Sequence, residues 1–242
     1  MTRLVTLLVA MLLGVSAHAA VSLTGTRLIF DGRFNQARLE VLNRSDQEVL
    51  IQAWLSDANN VDGAPQLAAA ELPFVLTPHL SRLERHAKQT LRVLYRGEGM
   101  PQTVESLIHL YVLEVPGRVE GANALSIAIR QRINVFYRPP GLTDDPGETA
   151  QRLQWTWSDA GLRVSNPTQF HAALQDVRLD NVAVDDYLLL APGASHPFLA
   201  AVPAQPRRLS FQALTDYGSP RNYCAQANGN GFNNTYHRQK DC

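Results

Sequence analysis

Apolar and polar residues alternate along most of this chain in runs of about 5 to 10 residues, separated by intervals rich in Gly, Pro, Asn and Asp. Between Val21 and Pro139 the runs are VSLTGTRLIF, QARLEVLN, EVLIQAWLS, PFVLTPHLSRLE, QTLRVLYR, SLIHLYVLEV and NALSIAIRQRINVFYRPP. A period of two sends successive side chains to opposite faces, so each run predicts a strand with one buried side. In the last run Leu125, Ile127 and Ile129 alternate with Ser126, Ala128 and Arg130. Such a stripe beside an arginine-rich end fits either a core strand or an edge strand whose apolar side awaits a partner.

Seven strands in about 120 residues match an immunoglobulin-like sandwich, here without the disulfide that joins the two sheets of antibody domains. Residues 21–139 are therefore read as a first domain. RPPGLTDDPGET, from Arg138 to Thr149, concentrates turn formers and places a linker at 140–150. A second series, RLQWTWSD, GLRVSN, AALQDVRLDN, YLLLAPG and PRRLSFQALTD, predicts a second β-sandwich over 151–223. From Cys224 to Cys242 the chain is polar, with many Asn and Gly and no periodicity, and is expected to be an irregular tail. The fold class is all-β with two domains.

The first twenty residues depart from this pattern. MTRLVTLLVAMLLGVSAHAA combines Arg3, an apolar run from Leu4 to Val15 and a small-x-small site at Ala17, His18 and Ala19. It reads as a secretory signal, residues 1–20, cleaved after Ala19 or Ala20. The run is too short to cross a bilayer comfortably, and no other segment is apolar enough to try. An exported chain without a membrane span follows.

The chain has 242 residues, 45% of them hydrophobic, enough for a substantial core. Lys and Arg number 22 against 22 Asp and Glu, so no global charge calls for nucleic acid or an anionic membrane as partner. Cys224 and Cys242 are the only cysteines. In an oxidising compartment they can pair and close a loop of roughly 19 residues, worth ~3 kcal/mol, or stay unpaired in a loose tail.

Catalytic chemistry is hard to place. No phosphate loop, G-x-S-x-G elbow or H-E-x-x-H occurs, and His79, His86, His109, His171, His196 and His237 are scattered. Metal sites want closely spaced Cys and His ligands, so neither a metal nor another cofactor is expected. Asp144 with Asp145, and Asp185 with Asp186, are adjacent acids without a partner base. The arginines are more informative: Arg27 lies in an apolar strand, and Arg130, Arg132 and Asn134 share one strand face. Arg27 is either solvated or a fixed cation for a carboxylate, which its planar guanidinium binds bidentately.

ESLIHLYVLEVPG followed by ANALSIAIRQRINVFYRP, with the early VSLTGTRLIFDG, the later VSNPTQF and the DYG at Asp216 to Gly218, resembles the periplasmic pilus chaperones of the bacterial chaperone-usher pathway. The likeness runs from Val21 to Gly218. It implies two immunoglobulin-like β-sandwich domains set at an angle around a cleft, and a periplasmic, non-enzymatic chaperone. Its partners would be pilin or fimbrial subunits and an outer-membrane usher. Leu125, Ile127 and Ile129 fall at the positions of the donor strand that such chaperones lend to an incomplete subunit. Arg27 falls at the cleft arginine that anchors the subunit's C-terminal carboxylate. The accompanying lysine is replaced here by Asn134, for which Arg132 is a substitute; a twist or bulge between Leu125 and Asn134 is expected. Glu105, Arg138 and Asp216 fall at the acid, base and acid that tie the domains together.

The short connection from Glu114 to Leu125 is similar to that of the short-loop subgroup that builds thicker, rod-like fimbriae. An open donor edge also allows self-association of the free protein. The alternative is a two-domain immunoglobulin-like adhesion or ligand-binding module, which gives no reason for an apolar edge near Arg27. An exported hydrolase lacks a nucleophile and base.

Overall fold

The computed structural model describes residues 20–60, 72–117, 126–158, 161–198, 207–229 and 231–237. Most of the expected signal peptide, Leu125 and Cys242 lie outside the described residues. The N-terminal domain contains β1 (Val21–Leu23), β2 (Arg27–Asp31), β3 (Gln36–Asn43), β4 (Val49–Asp57), β5 (Phe74–Thr77), β6 (Leu80–Leu83), β7 (Lys88–Tyr95), β8 (Ser106–Pro116) and β9 (Ile129–Arg138). Two predicted runs are each split. VSLTGTRLIF breaks around Gly25, and PFVLTPHLSRLE breaks at Pro78, whose nitrogen has no proton for a ladder.

These strands form two sheets, β1-β3-β7-β5 and β2-β9-β8-β4-β6. The break in the first run lets β1 pair with β3 in one sheet while β2 lies parallel to β9 in the other. Between the sheets Phe30, Val41, Leu91, Val93, Leu110, Val112 and Val135 are fully buried. Burying each such side chain is worth about 1.5–3 kcal/mol, so the alternation in the sequence is also the main source of stability.

The expected linker holds a short 3-10 turn, Pro146–Glu148, capped by the Asp145 carboxylate accepting from Gly147 N–H at 2.7 Å, and the one-turn helix α1 (Thr149–Arg152). The second domain follows with β10 (Gln154–Ser158), β11 (Gly161–Ser165), β12 (Ala172–Leu179), β13 (Val182–Leu190), β14 (Ser195–Phe198), β15 (Arg208–Leu214), β16 (Pro220–Asn228) and β17 (Gly231–His237). They make one continuous sheet in the order β13-β12-β15-β16-β17-β10-β11-β14. Trp155 of β10 nevertheless meets Phe211 of β15 with ring centroids 5.2 Å apart, so the sheet folds over its own core.

The expected irregular tail at 224–242 is corrected by this topology as far as His237; the residues beyond lie outside the described ones. Residues 224–228 complete β16, and β17 bridges β16 to β10 and thereby joins the two halves of the sheet. Asn228 pairs with Gly231, and Gly229 takes a positive φ of 62°, the left-handed conformation that a tight hairpin demands. Phe232 brings an apolar side chain into the core. The polar composition hid a strand whose hairpin was written in the NGNG run.

Candidate functional site

β9 is paired with β8 from Glu114 opposite Ile129 to Ser106 opposite Tyr137. On its other side β2 begins only at Arg27, whose partner is Asn134. Residues Ile129 to Ile133 therefore present an edge that β2 does not cover. Gln131 Nε2 reaches the Val21 carbonyl at 3.1 Å near this edge. Ile129 is half-buried, and Ile127, two residues before the strand, is 61% exposed. The strand does not extend through Ile127: the ladder with β8 ends at Ile129, and among the described residues no second neighbour replaces it.

The ladder shows no register shift from Ile129 to Tyr137, so the bulge expected before Asn134 is not found within β9. None is required. Ile133, Val135 and Tyr137 point into the core, while Arg130, Arg132, Asn134 and Phe136 lie on the outer face, as strict alternation dictates. Register then aligns four residues across that face: Ser56 opposite His109, His109 opposite Asn134, and Asn134 beside Arg27.

Arg27 lies over the Phe136 ring at 5.7 Å and makes no ion pair among the described residues; its Nε is buried without a hydrogen-bond partner. Burial lowers its pKa, opposed by the nearby Tyr187, Asp216 and Glu105. A half-buried guanidinium with no anion of its own is chemically able to bind one. Arg132 is exposed on the same face. Arg130 covers the Tyr111 ring at 5.3 Å, and Tyr111 in turn stacks on Trp54 at 5.4 Å.

At the end of β9 the two domains meet. Arg138 Nε donates to Glu105 Oε2 at 2.6 Å, and its two terminal nitrogens donate to the Asp216 carboxylate at 2.6 and 2.7 Å. Burial alone would lower the Arg138 pKa, but the bonds to Asp216 and the charges of Glu105 and Asp216 outweigh it and hold the group firmly cationic. Glu105 also accepts from His171, through the backbone N–H and with ring Nδ1 at 2.9 Å from the same oxygen. In the sequence His171 is one of six scattered histidines beyond residue 20, and nothing in its spacing ties it to Glu105.

The VSNPTQF run holds this junction from the second domain. Asn166 Nδ2 donates to the carbonyls of Phe170, Leu190 and Ala191, which fixes the turn. Gln169 then accepts from Glu105 N–H at 2.8 Å through its backbone and donates to Thr103 O through its side chain. Gly218 has φ +79°, and a Cβ there would collide with Thr26 Oγ1, so the DYG turn can approach the start of β2 only with glycine. A cavity of about 220 Å³ opens between the domains, lined by Arg27, Phe136, Arg138, His171, Asp216 and Tyr217 among others. Cys224, next in the chain to the cavity-lining Tyr223, is disulfide-bonded; Cys242 is the only other cysteine in the sequence.

Residues 20–143 match the family described as the pili and flagellar-assembly chaperone PapD N-terminal domain, and residues 148–225 match the pili assembly chaperone PapD C-terminal domain. This chain belongs to the pilus assembly chaperones. The probable fimbrial chaperone LpfB of Escherichia coli O157:H7 is 32% identical to it over 224 residues, covering 90% of this chaperone and 93% of the relative. The chaperone protein FimB/FhaD of Bordetella pertussis is also 32% identical over 224 residues, covering 88% and 90%. Among solved structures, the CupB2 chaperone of Pseudomonas aeruginosa superposes with a TM-score of 0.73 at 27% identity, covering 86% of this chaperone and all of that chain. The chaperone is thus a periplasmic-family assembly factor and not an enzyme.

Proposed function

We propose that this chaperone captures exported pilin subunits in the periplasm by lending them its own edge strand, then passes them to an outer-membrane usher. The observation that carries this reading is the edge of β9 from Ile129 to Ile133, uncovered by β2 and leading directly to the unpaired Arg27. A subunit strand laid along it would complete a main-chain ladder, while Leu125, Ile127 and Ile129 fill the subunit's groove. Each aliphatic buried contributes roughly 1.5–3 kcal/mol before ordering costs, which suits a complex that must form and later be released. The Salmonella enterica SafB chaperone, a structural neighbour at TM-score 0.75 and 24% identity, was solved in complex with the SafA pilin.

In this reading Arg27, with Asn134 and Arg132 beside it, seats the subunit's C-terminal carboxylate and so sets the register of the added strand. Glu105, Arg138 and Asp216 hold the two domains at the angle that keeps the cleft open. A Cys224 to Cys242 bridge ties the last residues to β16. The leader directs export and is cleaved after Ala19 or Ala20. Only 12 residues separate Pro116 from Ile129 at the ends of β8 and β9, which supports the short-loop subgroup of rod-like fimbriae. When no subunit is present, the same edge favours pairing with a second copy.

The test is co-expression with pilin subunits of the same organism followed by purification. A one-to-one complex that disappears when Leu125, Ile127 and Ile129 are all changed to Asp establishes strand lending. A complex that survives the triple change removes it, and failure to bind any subunit favours an adhesion or ligand-binding module instead.

A further inference from the structure

Asn134 brings no charge to a position where the family resemblance places a lysine. Register shows what stands next to it. On the outer face of the sheet Asn134 is flanked by Arg27 on β2 and by His109 on β8, each one strand spacing away, roughly 4.8 Å. Asn134 is the shortest of the three side chains and stands between two longer nitrogen-bearing walls.

Both walls carry an unused polar atom. Arg27 Nε and His109 Nδ1 are buried and have no hydrogen-bond partner among the described residues. His109 is only 7% exposed, with Tyr111 edge-on at 6.1 Å. Two orphaned nitrogens thus flank a short amide in one row, and each is a donor or acceptor that an incoming polar group could satisfy.

We infer that His109 is the second cation of the carboxylate anchor, acquired by protonation when a subunit's C-terminal carboxylate settles over Asn134. This rests on the anchor reading above. Arg27 supplies the permanent charge, the Asn134 amide a neutral donor, and His109 a charge that exists only when an anion is present. Without the anion, burial keeps the imidazole neutral, and Arg132 on β9 reinforces this; Asp57 at the end of β4 pulls the other way. Ser56 and Trp54 on β4 bring no charge. Arg130 and Arg132, on the outer face, attract the incoming carboxylate but also oppose a resident imidazolium.

The consequence is a proton taken up on capture. An anion within about 4–6 Å of His109 favours its charged form, so its pKa is higher in the complex than in the free chaperone. Affinity then grows as pH falls through the bound-state value and levels off below the free-state value. Each pKa unit gained on binding is a factor of about ten in affinity.

The probe is the pilin subunit recovered by co-expression, rebound to the full-length chaperone from its denatured state at about pH 8 and about pH 5.5, on either side of the ordinary histidine value of ~6.5. Wild type is expected to bind about tenfold more tightly at the lower pH. His109→Phe, which keeps a ring in the stack, and His109→Gln, which keeps a neutral polar group, are both expected to lose that dependence. Asn134→Lys is expected to bind tightly at both values. NMR of the ring is expected to show the His109 pKa rising in the complex. A wild type indifferent to pH, or a dependence that survives in both His109 variants, overturns the inference. Arg27→Ala separates the two levels: if it abolishes capture at both pH values the anchor stands whatever His109 does, and if it is harmless the anchor reading itself fails.

Discussion

The two halves of β9 share a strand and a register but have opposite surroundings. From Asn134 to Tyr137 the strand is covered on both sides, by β8 and β2, and at Arg138 it ends in an ionic junction. From Ile129 to Ile133 it is held by β8 alone, and before Ile129 it leaves the sheet. The closed half is what makes the open half usable. An edge that could slip by one residue would exchange its apolar and basic faces, and Asn134 to Tyr137 prevents this by locking the register between two neighbours. Edge strands are usually blunted against unwanted pairing; here charge on the outer face, at Arg130 and Arg132, does that while leaving the ladder groups available.

The sharpest way to break the comparison is at the end of the closed half. Arg138→Ala leaves Glu105, whose side chain is 1% exposed, as a buried carboxylate without its cation. Such a loss costs about 3–5 kcal/mol, most of it from Glu105, because Asp216 is 38% exposed and can turn to water. Denaturant unfolding should show this drop. It should also show two transitions in place of one, since Arg138 couples the domains. A single transition with unchanged midpoint would mean that the packing around Gly218 and Gln169 holds the junction without the charges.

A smaller effect separates the two halves directly. Ile133 is 5% exposed and Ile127 is 61% exposed, although both are isoleucines six residues apart with the same parity. Ile133→Ala should destabilise the chaperone by about 2–5 kcal/mol through the cavity it leaves. Ile127→Ala should change stability by less than about 0.5 kcal/mol while weakening subunit capture. Equal stability losses would place Ile127 in the core of the free protein and remove it from the donor role.

Much of this arrangement was legible because β-strands carry their burial in their alternation. The seven runs of the first domain, the apolar stripe at Ile127 and Ile129, and the separation of Arg132 and Asn134 from Ile133 and Val135 all follow from a period of two. The anchor row was not legible in that way. His109, Asn134 and Arg27 are far apart in the chain and become neighbours only through the register of three strands, which no local pattern specifies. His171 joined Glu105 for the same reason. The failure at β17 was different in kind. Its residues are polar, so hydrophobic periodicity carried little information, and the turn chemistry of Asn228 and Gly229 was the better guide.

The smallest expected effect lies at the start of the open half of β9. Glu114 is the partner of Ile129 and, having the parity of Leu110 and Val112, faces the interior at the open end of the sandwich, 3% exposed. Its Oε2 accepts from Val21 N–H at 3.1 Å. Burial pushes this carboxyl above its ordinary value, and the Val21 donor only partly offsets the rise. Because the folded state then holds the proton more tightly than the unfolded chain, the contribution of Glu114 to stability is greatest in acid and declines as pH rises from the ordinary glutamate value of ~4.3 through the raised folded value. Glu114→Gln removes that titration, so the stability of wild type relative to the variant should fall across this window and stay flat above it. Paired denaturant titrations at each pH isolate the difference from the other carboxylates. A difference that instead grew with pH would show that the fold favours the Glu114 carboxylate, and that the start of β1 stabilises its charge more than a single amide donor can.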